Sequence, residues 1–161
     1  MSFRTTNYEI YLMNADGDVC EESGGSVRGM GMVMHVPASD YSRRWAGFSL
    51  DMTANSDPAG ELGYHVMGRG AQGELVVAPN QETGSVKYLE VWPNGRFFAS
   101  GLGRWNGQDD WGWCVIGRDR PGDERLAVRL VSPADVDQGC PNPTFRFVGP
   151  LRQGDVDADA P

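Results

Sequence analysis

Residues 86–118 are the part of this sequence that most limits how the chain can fold. Large aromatic and β-branched side chains recur there at alternating positions in three short runs, which are separated by Pro93-Asn94-Gly95 and by Asn106-Gly107. Because Gly and Asn tolerate the positive φ angles that tight hairpin turns require, both separators predict turns between antiparallel strands. A meander this aromatic is costly to expose to water, so a core or a ligand must cover it.

The rest of the chain has the same pattern of short alternating runs bounded by turn residues. Gly supplies 22 and Pro 10 of the 161 residues, and helical periodicity is almost absent. The sequence therefore predicts an all-β protein, a single antiparallel β-barrel of about eight to ten strands with at most one or two short helical turns. Strands are expected at about 7–13, 28–36, 45–53, 62–69, 73–78, 85–92, 96–104, 111–118, 125–131 and 144–149.

Two segments are candidates for a helical turn, and the end of the chain is a candidate tail. Ser132–Gly139 offers an N-cap Ser, Pro at the first position, an early acid and a terminal Gly, which together predict a short helix. Pro37–Arg44 is either a second turn or a loop over one mouth of the barrel. We expect residues 1–151 to form the barrel domain and the acidic residues 152–161, which lack apolar anchors, to be a disordered tail.

The charge balance limits the classes of partner. A net charge of −8 and a pI near 4.6 argue against nucleic acid, which needs a basic face, and against an anionic membrane surface. No apolar run approaches the ~20 residues of a membrane-spanning helix, and the residues after Met1 lack the pattern of a signal peptide. The sequence predicts neither a nucleic-acid partner nor a membrane partner.

The number and spacing of the cysteines indicate whether the protein belongs to a reducing or an oxidising cellular compartment. Cys20, Cys114 and Cys140 are odd in number and share no CxxC spacing. This pattern favours reduced thiols over disulfides and predicts a cytoplasmic protein.

Alternation assigns side chains to the two faces of each predicted strand. Sets that share a face are Met30, Met32 and Met34; Phe48, Leu50 and Met52; Tyr64 and Val66; Val86, Tyr88, Glu90 and Trp92; and Trp111, Trp113 and Val115. The opposite faces are also apolar in places, for example at Cys114 and Ile116. We expect one face to line a lumen and the other to meet a covering segment or a partner subunit, so that a homodimer is one expectation.

The methionine run and the tryptophans each have two explanations. Methionine commonly fills irregular gaps in a core, but its flexible, polarizable side chain can also mould to an apolar ligand. The five tryptophans are more than the core of a domain of this size requires, which favours a ligand surface for some of them.

The sequence contains no recognised metal or nucleophile motif. His35 and His65 are the two histidines, and neither has an acid or a thiol at ligand spacing. The Asn14–Asp18 segment lacks the acid that a calcium loop needs at its twelfth position, and no Gly-x-Ser-x-Gly elbow is present. We therefore expect neither a metal nor a cofactor.

Glu90 is the ionisable residue of greatest interest. It lies between Leu89 and Val91 and shares its face with Tyr88 and Trp92. If that face lines the lumen, desolvation raises the pKa of the carboxyl and makes it a candidate general acid or base. The alternative is a carboxylate on an exposed face, or one paired with a neighbouring basic residue.

Short segments resemble a known family. Tyr8-Glu9-Ile10-Tyr11, the turn at Asn14–Asp18 and Ser23-Gly24-Gly25 resemble the opening of small barrels of the allene oxide cyclase-like family. Asn94–Gly101 followed by Trp113–Ile116 resembles a later hairpin of the bacterial spirotetronate cyclases of that superfamily. The Gly-Gly-Thr-Gly segment common near the end of such barrels is missing.

The resemblance implies a closed barrel of about eight strands, often dimeric, that binds an apolar polyketide-like chain and cyclises it without a cofactor in natural-product biosynthesis. A Diels–Alderase of this kind needs a chain held in a folded conformation rather than a nucleophile or a metal. On this hypothesis the candidate catalytic residues are Tyr88, Glu90 and Tyr64. The candidate substrate-binding residues are Met30, Met32, Met34, Phe48, Leu50, Met52, Trp92, Trp111 and Trp113.

Two other classes of function stay open from the sequence. One is a non-catalytic small-molecule or carbohydrate-binding module, with Trp105, Trp111 and Trp113 as a stacking platform. The other is a structural or assembly protein whose apolar sheet faces make contacts with other subunits.

Overall fold

The protein is described by a computed structural model that covers residues 25–35, 44–54, 57–67, 73–77 and 84–161. The strand predicted at 7–13 lies outside these ranges. Within them, nine β-strands form one antiparallel sheet. The strands are β1 Ser26–His35, β2 Arg44–Thr53, β3 Ala59–Met67, β4 Gly73–Val77, β5 Ser85–Val91, β6 Arg96–Trp105, β7 Gln108–Arg118, β8 Arg125–Val131 and β9 Phe145–Asp159.

The sheet closes into a barrel of eight strands with one strand added. In order around the sheet the strands are β4, β3, β2, β1, β9, β8, β7, β6 and β5, and β4 also pairs with β6. That closing pair joins Leu75 to Trp105, whereas β5 pairs with the first part of β6, from Phe97 to Leu102. Thus β4 and β5 follow one another along the same edge of β6. The prediction of an all-β antiparallel barrel is confirmed.

Both predicted hairpin turns are present. Gly95 has φ 77°, and Asn106 and Gly107 have φ 49° and 79°, which are left-handed angles that these residue types adopt at low cost. Asn106 also ties the β6–β7 turn to β4, because its backbone N–H donates to the Glu74 carbonyl and its Oδ1 accepts from the Glu74 N–H, each at 2.9 Å.

The main core lies inside the barrel. It contains inward side chains from all nine strands, among them the largest fully buried ones. These are Trp113, Tyr64, Phe97, Phe147, Met52, Leu62, Leu75, Leu126, Leu130, Val27, Val33 and Val66.

A second, smaller apolar cluster lies on the outside of β6, β7 and β8. The predicted helical turn is present as a 3-10 helix, Pro133–Gln138, which begins after Ser132 and ends at Gly139 with φ 79°. Its buried Val136 packs with Val131 and with two cysteines, and Phe98 and Leu102 of β6 pack against the group. The helix therefore covers an outer sheet face that would otherwise expose apolar side chains.

The two cysteines of that cluster form a disulfide, Cys114–Cys140, with Cα atoms 6.4 Å apart. The expectation of reduced thiols is therefore wrong for this pair, while Cys20 lies outside the described residues. The two cysteines are 26 positions apart in sequence and meet because the 3-10 helix folds back over β7. Since disulfides persist mainly in oxidising compartments, the cysteines no longer support a cytoplasmic location, which stays an untested prediction.

The end of the chain also differs from its prediction. Residues expected to be a disordered acidic tail form the second half of β9, which pairs with β1 from Met32–Gln153 to Ser26–Asp159. Val156 is fully buried and anchors this half in the main core. Gly154, with φ 94°, lets the β9 backbone come close to Met30 where a Cβ would collide with its carbonyl oxygen. The barrel therefore extends to residue 159.

Candidate functional site

Six residues expected to line a lumen do face the interior of the barrel. Alternation assigned these positions correctly, and they belong to the main core or pack against it. They are Phe48, Leu50, Met52, Tyr64, Trp111 and Trp113.

The interior is filled at the level of these side chains. Trp113 has an exposed fraction of 0%, Tyr64 of 2%, and Phe97 and Phe147 of 1% each. A chamber large enough for water or a ligand would leave accessible surface on the side chains that line it. A barrel of about eight strands has an interior just wide enough for side chains to fill. These residues therefore act as a core.

Tyr64 is the candidate catalytic residue that lies inside the barrel. Its ring packs edge-on against Phe147, with ring centroids 5.9 Å apart and planes at 74°. Its hydroxyl and the Nε1–H of Trp113 have no hydrogen-bond partner in the described part of the chain. Burial raises the pKa of the Tyr64 hydroxyl above its ordinary value, so the group stays protonated at neutral pH and is suited to donate a hydrogen bond.

The other two candidate catalytic residues, Tyr88 and Glu90, lie on the outside of the barrel. A bulge in β5 places Val86 opposite Gly101 and Tyr88 opposite Ser100, so one residue is inserted between them. Because one inserted residue reverses the alternation, Val86 is buried while Tyr88, Glu90 and Trp92 face outward. The expectation that these four residues share a lumen face is wrong.

Tyr88 and Glu90 form a surface pair. The Tyr88 hydroxyl donates to Oε2 of Glu90 at 2.5 Å, and the Tyr88 ring lies 5.8 Å from that of Phe98. Tyr88 is 45% exposed. Tyr64 inside the barrel is therefore separated from this outer pair. Glu90 lies on the outer face of the sheet, which was the alternative to a lumen position in the sequence analysis.

The methionine run also faces outward. Met30, Met32 and Met34 share one face of β1, as alternation predicts, but that face is the outer one, and Met30 is 69% exposed. The inward face of β1 has Val27 and Val33, which are fully buried, with Gly29 and Gly31 between them. The expectation that these methionines form a lumen wall is therefore corrected.

The outer apolar surface includes two residues that sequence reasoning did not place in a site. Trp45 is 36% exposed and Met67 is 39% exposed, and the two are paired across β2 and β3. Their alternation with buried Ala46 and Val66 was the available signal, since it marks them as outward positions. We call Met30, Met32, Met34, Trp45 and Met67 together the methionine face.

The proposed stacking platform is not formed. Trp113 is fully buried, and Trp105 and Trp111 are partly buried against the main core. The indoles with the greatest exposure in the described part of the chain are instead Trp45 and Trp92.

A depression of about 600 Å³ lies at one end of the barrel, between the β5–β6 turn and the loop after β7. Arg118, one of its two basic lining residues with Arg120, donates to Asp123 at 3.0 Å, and Arg125 donates to the same carboxylate at 2.8 Å. These hydrogen bonds, from Arg125 first and Arg118 second, hold the pKa of Asp123 below its ordinary value. The guanidinium of Arg118 is thus engaged by a neighbouring carboxylate.

The described residues contain neither a metal-binding cluster nor a membrane-spanning helix. No group of three or more His, Cys, Asp or Glu side chains there is placed to hold a metal ion. None of the helices there is long and apolar enough to cross a membrane. Comparison of the chain with known protein families, curated proteins and solved structures finds no match.

Proposed function

We propose that this protein is a non-catalytic interaction module, a β-barrel that holds a partner on its outer surface. The observation that carries the proposal is the distribution of large apolar side chains between the two sides of the sheet. The interior is filled with side chains such as Trp113, at 0% exposure, while Met30 and Trp45 stand outside at 69% and 36%.

The exposed apolar side chains of the methionine face indicate a contact surface. Single exposed apolar residues are ordinary, but a contiguous set on a small soluble domain usually marks a contact surface. The fold covers another outer face with its own 3-10 helix, through the cluster of Cys114, Val131, Val136 and Cys140. The methionine face has large side chains left exposed, which supports a role in binding.

The cyclase hypothesis stays a prediction with a different requirement. It needs an apolar chamber inside the barrel, where the unpartnered hydroxyl of Tyr64 would be the group to bind a substrate carbonyl. Filled packing around Tyr64 and Phe147 does not favour that requirement.

A titration with Nile red, an uncharged apolar dye, distinguishes an outer binding surface from a lumen. We expect dye fluorescence to arise on the methionine face and to fall at least about fivefold in a Trp45→Ser/Met67→Ser double variant. Because both residues are exposed, the free energy of unfolding of this variant should stay within about 1 kcal/mol of the wild type.

The matched control is Trp92→Ser, which removes an indole of 37% exposure that directly follows β5 and does not belong to the methionine face, and it should leave the dye signal unchanged. Saturable binding of one dye per chain that survives the double variant would place the dye inside the barrel. That result would overturn the proposal and favour the cyclase.

A further inference from the structure

The methionine face is built from aligned positions on three neighbouring strands. Met34 on β1 pairs with Trp45 on β2, and Trp45 pairs with Met67 on β3, so these side chains form one row across the sheet. Met32 and Met30 continue the face along β1 on the same side of the sheet. Side chains on aligned positions lie within contact distance, so the row presents a continuous apolar surface.

The middle of this face has an open position at Gly47. Met32 is paired with Gly47, and Met30 is paired with Ser49, which in turn is paired with Gly63. A Cβ at Gly47 would meet no atom within 4 Å, so the space above this position is open. The exposed His65 is the other cross-strand partner of Gly47, so the open position lies between Met32 and His65, and it leaves room for an apolar group of a partner.

The composition of the face suits a partner with irregular apolar side chains. Four of its five residues are methionine, whose flexible and polarizable side chain adapts to different shapes. Trp45 adds a large, stiff side chain of the type that often dominates binding energy at protein interfaces.

Carboxylates border the face at one end and along one side. Asp155 of β9 is paired with Met30, and Arg28 of β1 lies between Asp157 and Asp51. Arg28 Nε donates to Asp51 Oδ1 at 3.0 Å. The exposed carboxylates at this end of the face number four, so the single positive charge of Arg28 balances only part of their negative charge. We call these four carboxylates, Asp51, Glu61, Asp155 and Asp157, the acidic rim.

Burial and the rim carboxylates Asp155 and Asp157 raise the pKa of a neighbouring acid, Glu124. Desolvation raises the pKa of the Glu124 carboxyl, and the charges of Asp155, Asp119 and Asp157 raise it further. Glu124 lies beside β9, since its carbonyl accepts from the Leu151 N–H at 3.0 Å. The acidic surface therefore continues beyond the methionine face.

This charge pattern favours one kind of partner over a second copy of the chain. A face-to-face dimer would bring two acidic rims into one interface, between chains that each carry a net charge of −8. A segment with Lys or Arg beside apolar residues would instead place opposite charges at the rim.

We propose that the methionine face binds a cationic amphipathic segment of another protein, with apolar side chains on Met30, Trp45 and Met67 and basic side chains at the acidic rim. This inference rests on the proposed function and adds the chemistry of the partner. The apolar contacts supply affinity, and the acidic rim supplies selectivity and rapid association.

The test uses a fluorescent amphipathic peptide of leucine and lysine, with a peptide of the same composition in non-periodic order for comparison. Fluorescence anisotropy should show saturable binding of the amphipathic peptide and binding at least about tenfold weaker for the reordered one. Trp45→Ala should weaken binding about tenfold or more, and Trp92→Ala, at similar exposure, should leave it within about twofold. Glu61→Gln/Asp157→Asn should weaken binding about threefold to tenfold and reduce its dependence on salt.

Two results would overturn this inference in different ways. Binding that is the same for both peptides and insensitive to Trp45→Ala would mean attraction to a general negative surface. A wild-type dimer in sedimentation that Trp45→Ala dissociates would mean that a second copy covers the face. The dimer would leave the proposed function intact, whereas dye binding inside the barrel would remove the proposed function itself.

Discussion

Replacing Trp113 by alanine is expected to lower the free energy of unfolding by about 3–5 kcal/mol. The indole is completely buried on β7, and its Cζ2 lies so close to Gly101 that a Cβ at that position would come within 2.8 Å of it. Alanine would therefore leave a cavity that strands fixed by hydrogen bonds on both edges cannot close. Since Nε1–H of Trp113 has no partner in the described part of the chain, the loss comes from packing. Chemical denaturation followed by circular dichroism measures it.

Two variants serve as controls for Trp113→Ala. Trp92→Ala removes an indole that is 37% exposed and should cost less than about 1 kcal/mol. Tyr64→Phe keeps the ring against Phe147 and removes a hydroxyl without a described partner, so it should change stability by less than about 1 kcal/mol. A loss below about 1 kcal/mol for Trp113→Ala would contradict a closely packed interior.

Removing the disulfide with Cys114→Ala/Cys140→Ala is expected to cost about 2–4 kcal/mol. The bond joins residues 26 positions apart and so limits the unfolded chain, and it holds the 3-10 helix against the outside of β6 and β7. Both cysteines are buried, at 0% and 1% exposure, so alanine also loses some packing. Urea unfolding of the variant and of the oxidised wild type gives the difference.

The redox state supplies the control for the disulfide. Reductant should lower the stability of the wild type toward that of the double alanine variant and should leave the variant unchanged. Mass spectrometry after thiol alkylation should find Cys114 and Cys140 unlabelled without reductant. Labelling of both residues in the folded, untreated protein would contradict the bond.

Local sequence signals predicted the strands and turns well because each depends on neighbouring residues. The Asn106-Gly107 turn needs two residues that adopt positive φ, and the sequence supplies them where β6 must meet β7. The pattern from Ser132 to Gly139 likewise predicted the 3-10 helix. The Ser132 side chain makes no capping hydrogen bond, whereas Pro133 at the start and Gly139 with φ 79° at the end are the local features that the structure retains.

Which face of each strand points into the barrel was harder to predict. On β1 the methionines are the longer apolar side chains, yet Val27 and Val33 point inward. A narrow barrel already filled by Trp113 and Phe147 leaves no room for a further row of long side chains. On β5 one inserted residue reversed the assignment of Tyr88 and Glu90, and no residue in the run marks that bulge.

Contacts between distant parts of the chain were also beyond the sequence pattern. Cys114 and Cys140 belong to different elements, and their spacing gives no sign of the pairing. The end of β9 is acidic enough to be predicted as a tail, but one buried Val156 and the partner strand β1 hold it in the barrel. Both cases depend on tertiary contacts, namely the 3-10 helix that folds back over β7 and the pairing of β9 with β1, which bring together residues that lie far apart in sequence.

Oxidation of methionine by hydrogen peroxide, followed residue by residue with peptide mass spectrometry, tests the central claim most directly. The account predicts that, among the methionines of the described residues, Met30, at 69% exposure, and Met67, at 39%, are oxidised first in the folded protein. Met52, at 2%, should stay unoxidised until denaturant unfolds the barrel. Oxidation of Met52 at the rate of Met30 in the folded protein would contradict a filled interior and an exposed methionine face.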